Sequence, residues 1–159
     1  MISSCLPLAP RRLIKMNQLI IPKHIYDEMI AHCRAGYPDE ACGILAGSGN
    51  EITKIYRMAN SESSPVSYMM DPSEQAAVNR DLRANSLAMI SIFHSHPSSA
   101  AYPSQKDREL ALWDGEPAHG DAVYVIVSLC EEQPVAKAFS IKSEEIRAIE
   151  IAVKQTPAD

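Results

Sequence analysis

Residues 87–97 read LAMISIFHSHP, an apolar stretch that ends in two histidines and a proline. The residues before His94 carry no charge, which is typical of a strand buried in a central sheet. Side chains two positions apart on a strand point to the same face, so the imidazoles of His94 and His96 can converge on one ion. Pro97 cannot donate to a sheet ladder and ends the strand there. The stretch therefore predicts a central strand that presents two histidines at its end.

The next acidic residue along the chain, Asp107, completes a candidate metal site. It falls in the first turn of a helix that is predicted to open at Ser104. Two neutral imidazoles and a carboxylate suit zinc, and three protein ligands leave the fourth tetrahedral position open, as in catalytic sites. Ser104 and Asp107 also match a helix capping box, so a purely structural role for Asp107 is the alternative. An isolated H-x-H pair is likewise more often structural than catalytic.

Hydrolysis of an amide also needs a group that takes a proton from water and returns it to the leaving amine. Asp39 and Glu40 stand immediately before the apolar run ACGILA at residues 41–46, which predicts a second buried strand. A carboxylate at the start of a buried strand lies in surroundings of low dielectric, where it suits a proton shuttle. The chemistry does not choose between the two acids, and a solvated turn is the alternative for both.

The rest of the chain alternates between helical and strand patterns. Helices are predicted at residues 23–35 and from Asp71-Pro72 to about residue 85, and a last helix over 143–154 on an outer face. Further strands are predicted at residues 52–58, 66–70, 122–129 and 135–141. This alternation predicts an α/β protein, an α-β-α sandwich with a mixed central sheet.

Length and composition predict one compact domain. The chain has 159 residues, which favours a single core. Residues 2–10 are mildly apolar but precede Arg11 and Arg12, and this order is wrong for a secretory signal. We therefore expect residues 1–15 to be a disordered N-terminal extension and residues 16–159 to form the domain. No apolar run is long enough to predict a membrane span.

The net charge bears on the class of binding partner, and the cysteine content bears on the cellular compartment. The net charge of −5 offers no basic surface for nucleic acid. The four cysteines are far apart and form no C-x-x-C pair, so we expect reduced thiols in a cytoplasmic protein.

Other reactive side chains have no pattern that connects them to the site. The spacing of His24, His32 and His119 predicts surface or helix residues. Trp113 is expected to pack in the core. Cys42 lies near Glu40, but no histidine is paired with it as in a thiol protease, and Tyr102 is at most a loop residue beside a substrate groove.

Glu40, the segment His94-Ser95-His96-Pro97 and the segment Ser104-Gln105-Lys106-Asp107 together resemble the signature of the JAMM (MPN-plus) metalloprotease family. That signature is an upstream glutamate, then H-[ST]-H-P, six residues and S-x-x-D, and the chain matches this spacing without adjustment. Residues 40–47 also resemble the segment that carries the family's glutamate, which favours Glu40 over Asp39. The resemblance covers most of residues 19–141, and its motif is highly specific.

The resemblance implies an MPN fold, which is cytidine-deaminase-like, with one zinc ion per chain. His94, His96 and Asp107 would bind the zinc, and Glu40 would be the general base and then the general acid. Ser104 would donate a hydrogen bond to the oxyanion of the tetrahedral intermediate.

The resemblance also implies a substrate class. The family cleaves amide or isopeptide bonds, often after the tail of ubiquitin or a ubiquitin-like protein. This short chain resembles the compact prokaryotic type, which includes a peptidase that releases cysteine from a sulfur-carrier protein with a Gly-Gly tail. We therefore expect hydrolysis after the C-terminus of a ubiquitin-like or sulfur-carrier protein, with a link to cysteine biosynthesis.

Two alternatives to this function can be compared with the sequence. A non-catalytic MPN scaffold or binding module should have lost one of the four residues Glu40, His94, His96 and Asp107, and all four are present. A zinc deaminase should carry H-x-E and P-C-x-x-C, and neither string occurs. The sequence leaves the oligomeric state open.

Overall fold

The computed structural model describes residues 16–155. They form a mixed sheet, as predicted, with three helices. The main elements in chain order are β1 (Gln18–Pro22), α1 (Lys23–Gly36), β2 (Cys42–Ser48), β3 (Glu51–Met58), α2 (Pro72–Ala84), β4 (Ala88–His96), α3 (Gln105–Ala111), β5 (Leu112–Trp113), β6 (Glu116–Pro117), β7 (Val123–Ser128), β8 (Val135–Ile141) and β9 (Ile146–Lys154). The expected N-terminal extension at residues 1–15 lies outside the described residues.

Seven strands form one sheet in the order β1-β3-β2-β4-β7-β8-β9. Strands β1 and β3, β4 and β7, and β1 and β9 pair in parallel, and the remaining neighbours pair antiparallel. Because β1 bonds to both β3 and β9, the sheet closes on itself and has no free edge along these strands. The sequence did not predict this closure, since it depends on contacts between the two ends of the chain.

Helices cover both faces of the sheet, which confirms the predicted layers. One core cluster joins α1 to Phe93 and Val125, and the other joins α2 and α3 to Ile92 and Ile126. Ile92 and Phe93, which are adjacent in β4, therefore belong to different cores. His94 and His96 have the parity of Ile92, so they lie on the α2 and α3 face. No helix among residues 16–155 is long and apolar enough to cross a membrane.

The predicted helix at residues 143–154 is wrong. The segment contains β9, which bonds to β8 on one side and to β1 on the other. Ile149, Ile151 and Val153 alternate along this segment, while Ile146, Ile149 and Val153 also match helical spacing. Two partner strands decide between these patterns, because they satisfy the backbone groups on both sides of the segment.

Two smaller expectations also fail. Residues 66–70 form no strand, and only a single bridge joins Met70 to Asn60. Helix α3 ends at Ala111, and Trp113 is 80% exposed on the short β5–β6 ribbon instead of packed in the core. The α2 start, in contrast, is as predicted, since the Asp71 carboxylate accepts hydrogen bonds from the Ser73 and Glu74 amides.

A glycine in β2 lets this strand pass close to its neighbours. A Cβ at Gly43 would overlap with the Phe93 ring and with the carbonyl oxygen of Tyr56. Phe93 directly precedes His94, so a displacement there reaches the first histidine of the candidate site. Gly49, in the β2–β3 turn, has a φ of +63° but open space around it.

We expect Gly43→Ala to lower the free energy of unfolding by about 1–3 kcal/mol, because it overpacks a full core. The variant should also bind zinc more weakly than the wild type. Gly49→Ala is the control, since it costs only about 1–2 kcal/mol of backbone strain and should leave zinc binding unchanged. Urea denaturation and zinc titration measure both quantities. Normal zinc binding in a destabilised Gly43→Ala protein would contradict the link between β2 packing and the site.

Candidate metal centre and active site

Three predicted ligands meet at the end of β4. The Nε2 atoms of His94 and His96 lie 3.2 Å apart, and Asp107 Oδ2 lies 3.1 Å from the first and 2.9 Å from the second. All three side chains are buried. They form a group that can hold a metal ion. The structure thus brings together two strand residues and one helix residue that are separate in sequence.

The loop between β4 and α3 is tied to the sheet, which returns Asp107 to the histidines. Ser128, at the end of β7, donates from Oγ to the carbonyl of Ser99 at 2.6 Å. His96 Nδ1 contacts the carbonyl oxygen of Ala100 at 2.8 Å. Since both contacts hold the loop over the ends of β4 and β7, α3 begins directly above the site.

The donor atoms of the site fit a cation. When His96 Nδ1 donates to the Ala100 carbonyl, the Nε2 of a neutral ring carries a lone pair. That lone pair faces Asp107 Oδ2 at 2.9 Å, and the Nε2 of His94 faces the same oxygen. Atoms this close share either protons, as hydrogen bonds, or a cation, and a metal ion bound here takes the place of those protons. Two imidazoles and one carboxylate are ligands that zinc favours, so the residues fit the metal that the sequence predicts.

Asp107 has both of the roles that the sequence left open. Its Oδ2 accepts a hydrogen bond from the Ser104 amide at 2.9 Å, and its own amide donates to Ser104 Oγ at 3.1 Å, which is a complete capping box. Burial raises the pKa of Asp107, but hydrogen bonds with His94 and His96 outweigh burial and hold it well below its usual range. The carboxylate is therefore ionised and ready to bind a cation while it caps α3.

The two histidines differ in their surroundings. Burial lowers the pKa of His94, which stays neutral and able to ligate. Burial also opposes charge on His96, but the hydrogen bond with Asp107 outweighs it and raises the pKa. The Tyr68 ring stacks on the His94 ring with centroids 4.6 Å apart. His94 Nδ1 is buried and has no hydrogen-bond partner among the described residues.

Glu40 is buried beside the metal-ligand group, and Asp39 is only partly buried. Glu40 Oε2 has no hydrogen-bond partner within the described part of the chain. Burial raises the pKa of Glu40 to about 7, and the charges of His96 and Asp107 also act on it. A carboxyl group with this pKa can both accept and return a proton near neutral pH.

Backbone hydrogen bonds hold Glu40 in place. Its amide donates to the Ser64 carbonyl at 2.8 Å, and its carbonyl accepts from Asn60 Nδ2 at 3.0 Å. The next residue, Ala41, donates to Ser95 Oγ at 2.8 Å, and its carbonyl accepts from the Ser95 amide at 2.9 Å. Ser95 therefore faces away from the ligands and ties the start of β2 to β4.

Sequence analysis missed Asn60 and Tyr68. Asn60 also donates to the Ser67 carbonyl and accepts from the Glu62 and Met69 amides, so it organises the segment at residues 59–70. This segment has no regular structure, and nothing in its composition indicates which side chains turn inward. Tyr68 fell in a segment predicted as a strand, which hid its contact with His94.

The remaining candidates lie outside the ligand group. His32, on α1, contacts the Cys42 carbonyl at 3.0 Å, and His119 is exposed before β7. Burial raises the pKa of the Cys42 thiol to about 12, which leaves it protonated and unsuited to nucleophilic attack. Tyr102 is 55% exposed, and its ring meets the Phe139 ring edge-on.

A family model described as prokaryotic homologues of the JAB domain matches residues 22–142, which include every residue of this site. The chain belongs to this family. It carries the His-His-Asp metal-site residues of JAMM peptidases at the positions that the spacing predicted.

Individual relatives agree with this assignment. The chain is 40% identical over 112 residues to the CysO-cysteine peptidase of Mycobacterium tuberculosis. The matched region covers 69% of this chain and 73% of that protein. The chain is 30% identical over 145 residues to the desampylase of Haloferax volcanii, and the match covers 87% of this chain and 98% of that protein. A protein from Desulfitobacterium hafniense with a solved solution structure is 37% identical, has a TM-score of 0.75 and is matched over 87% and 94% of the two chains.

We expect about one zinc ion per wild-type chain after chelation and controlled reloading, and a clear loss in Asp107→Ala and Asp107→Asn. The asparagine variant retains an acceptor for the Ser104 amide, so it separates ligation from helix capping. Asp71→Ala is the matched control, because it removes another N-terminal helix carboxylate at a cost of about 1 kcal/mol and should retain zinc. Elemental mass spectrometry measures the stoichiometry. Full zinc content in Asp107→Asn would exclude this carboxylate as a ligand.

Proposed function

We propose that this protein is a zinc metallopeptidase that hydrolyses an amide or isopeptide bond after the C-terminus of a ubiquitin-like or sulfur-carrier protein. One observation carries the proposal: the His94, His96 and Asp107 ligand set lies beside Glu40, a buried carboxyl group with an unpaired oxygen. Ligands without a base, or a base without ligands, would not favour hydrolysis. Metal ligands and a base together in one buried site favour hydrolysis.

His94, His96 and Asp107 would hold one zinc ion per chain. Zinc in such a site supplies a Lewis acid for the scissile carbonyl and promotes the ionisation of water. Glu40 Oε2 accepts the proton of the attacking water and returns it to the leaving amine nitrogen. The pKa of about 7 suits both directions of this transfer, since it is higher than that of an ordinary glutamate.

Ser104 is proposed to stabilise the oxyanion. Its Oγ accepts the Asp107 amide hydrogen, and it donates to no other group within the described residues. The hydroxyl proton is therefore available to a substrate oxygen. Because the capping box fixes the start of α3, the hydroxyl is positioned before substrate binds, and preorganised donors of this kind are effective at stabilising developing charge.

The relatives support the substrate class. One is named a CysO-cysteine peptidase and the other a desampylase. The sequence resemblance connects such enzymes to carriers with a ubiquitin-like fold and a Gly-Gly tail. A scaffold that had lost its chemistry is the alternative, and the burial of an unpaired Glu40 carboxyl argues against it. Such a group costs about 1–3 kcal/mol and would be readily replaced if it had no function.

We expect Glu40→Gln to bind zinc like the wild type and to lose about 10²–10⁴-fold in kcat, because the amide cannot accept the proton. Asp39→Asn is the matched control on the neighbouring acid and should retain activity within about twofold. Stopped assays on a carrier with an added C-terminal residue, monitored by mass spectrometry, measure both variants. Equal losses in the two variants, or full activity in Glu40→Gln, would exclude Glu40 as the proton carrier.

The substrate class is tested by a panel of Gly-Gly-terminated carriers joined to cysteine through its α-amine or to a lysine ε-amine. We expect the zinc-loaded wild type to release the carrier from at least one of these conjugates, and the chelated protein to release none. Glu40→Gln provides the inactive control with the metal in place. Intact conjugates throughout, with zinc bound, would reject the carrier-protein substrate.

A further inference from the structure

A cavity of about 110 Å³ lies next to the ligand group on the α2 and α3 face of the sheet. None of the catalytic roles proposed above involves it. An apolar cavity of about 150 Å³ can hold a benzene molecule. This cavity can therefore hold a small side chain. Most of its wall is formed by apolar or aromatic side chains, namely Tyr68, Met69, Met70, Ile92, Leu110 and Tyr124.

Three of the residues that line the cavity lie on, or contact, the elements that carry the proposed metal ligands. Ile92 lies two residues before His94 on the same face of β4. Leu110 lies three residues after Asp107, one turn along α3. Tyr68 lines the cavity and also stacks on the His94 ring. Because Tyr68 contacts both, the cavity adjoins the ligand group, and a substrate side chain near the reacting atom can enter it.

The cavity is closed at its base and apolar at its opening. Ile92 and Tyr124, which pair across β4 and β7, are almost fully buried and form the floor. Met69 and Leu110 are 48% and 40% exposed. These two side chains make the opening apolar, and the flexible thioether of methionine adapts well to small apolar groups.

The chemistry of the wall excludes a charged occupant. Among the described residues, no aspartate, glutamate, lysine or arginine lines the cavity, and its polar side chains besides the tyrosines are Gln75 and His119. His119 is exposed overall, but partial burial of its ring lowers its pKa, which favours the neutral form. A lysine ammonium placed here would lose its hydration without gaining an ionic partner.

We propose that this cavity binds the side chain of the residue that supplies the leaving amine, and that it selects small uncharged side chains such as that of cysteine. The inference rests on the proposed function, in which the carrier ends in Gly-Gly and offers no side chain on the acyl side of the scissile bond. The side chain closest to that bond therefore belongs to the leaving residue. The blind floor also disfavours a lysine isopeptide, whose alkyl chain must continue to a protein backbone.

Carriers that end in Gly-Gly-Cys, Gly-Gly-Ala, Gly-Gly-Gly and Gly-Gly-Lys, each joined through the α-amine, test the proposal with the zinc-loaded full chain. We expect kcat/KM for the cysteine conjugate to exceed that for the glycine and lysine conjugates by at least about tenfold, since one apolar group in a pocket discriminates by roughly 10–200-fold. The alanine conjugate should fall between cysteine and glycine. Equal rates for all four would overturn the proposal while leaving the proposed function intact. Absence of any cleavage would overturn both.

Leu110→Trp should fill the cavity and reduce the preference for cysteine over glycine to about twofold or less. Val153→Trp on β9 is the matched control, because Val153 is also 40% exposed but lies away from the cavity. Met69→Trp also fills the cavity. If Leu110→Trp binds less zinc than the wild type, the preference for cysteine over glycine is measured in Met69→Trp instead. An equal loss for every conjugate in both cavity variants would mean that the cavity binds the carrier, and would overturn the assignment to the leaving residue.

Discussion

The hydrogen bonds between Ala41 and Ser95 join the start of β2 to the end of β4, and the chemistry of the molecule depends on this junction. Ser95 stands between His94 and His96, so its side chain necessarily points to the opposite face from theirs. By accepting the Ala41 amide hydrogen, it fixes the residue that follows Glu40. Antiparallel register then places Cys42 opposite His94. The proposed base and two of the proposed ligands are therefore positioned by one pair of neighbouring strands.

The site places polar groups where the fold gains nothing from them. His94 Nδ1 and Glu40 Oε2 are buried and have no hydrogen-bond partner within residues 16–155, which costs about 1–3 kcal/mol each. The closed sheet offsets this cost, because every strand of the ring has two hydrogen-bonded neighbours and a core on each face. The site can therefore stay rigid although these two atoms make no hydrogen bond among the described residues. A rigid site of this kind is suited to stabilising charge, since the ligands need not reorganise when the reaction begins.

Local signals in the sequence were sufficient to predict that the three proposed ligands meet, but not to predict their surroundings. The alternation of residues 87–96 predicts that His94 and His96 share a face, and the capping pattern predicts where Asp107 begins a helix. By contrast, the closure through β9 depends on a partner strand at the other end of the chain. The inward orientation of Tyr68 depends on hydrogen bonds that Asn60 makes to an irregular segment. Neither has a periodicity that could be seen in advance.

The irregular segment at residues 59–70 contacts both the proposed proton carrier and the proposed metal ligands. Asn60 and Ser64 hold the backbone of Glu40, Tyr68 covers His94, and Glu62 faces Lys106 on α3 at 3.6 Å. A movement of this segment would thus shift the proposed base, one proposed ligand and the cavity proposed for the leaving residue, because Tyr68 and Met69 also line that cavity. Substrate that contacts the segment therefore acts on the geometry of catalysis as well as on binding. For this reason, side chains on the leaving residue should affect kcat as well as KM.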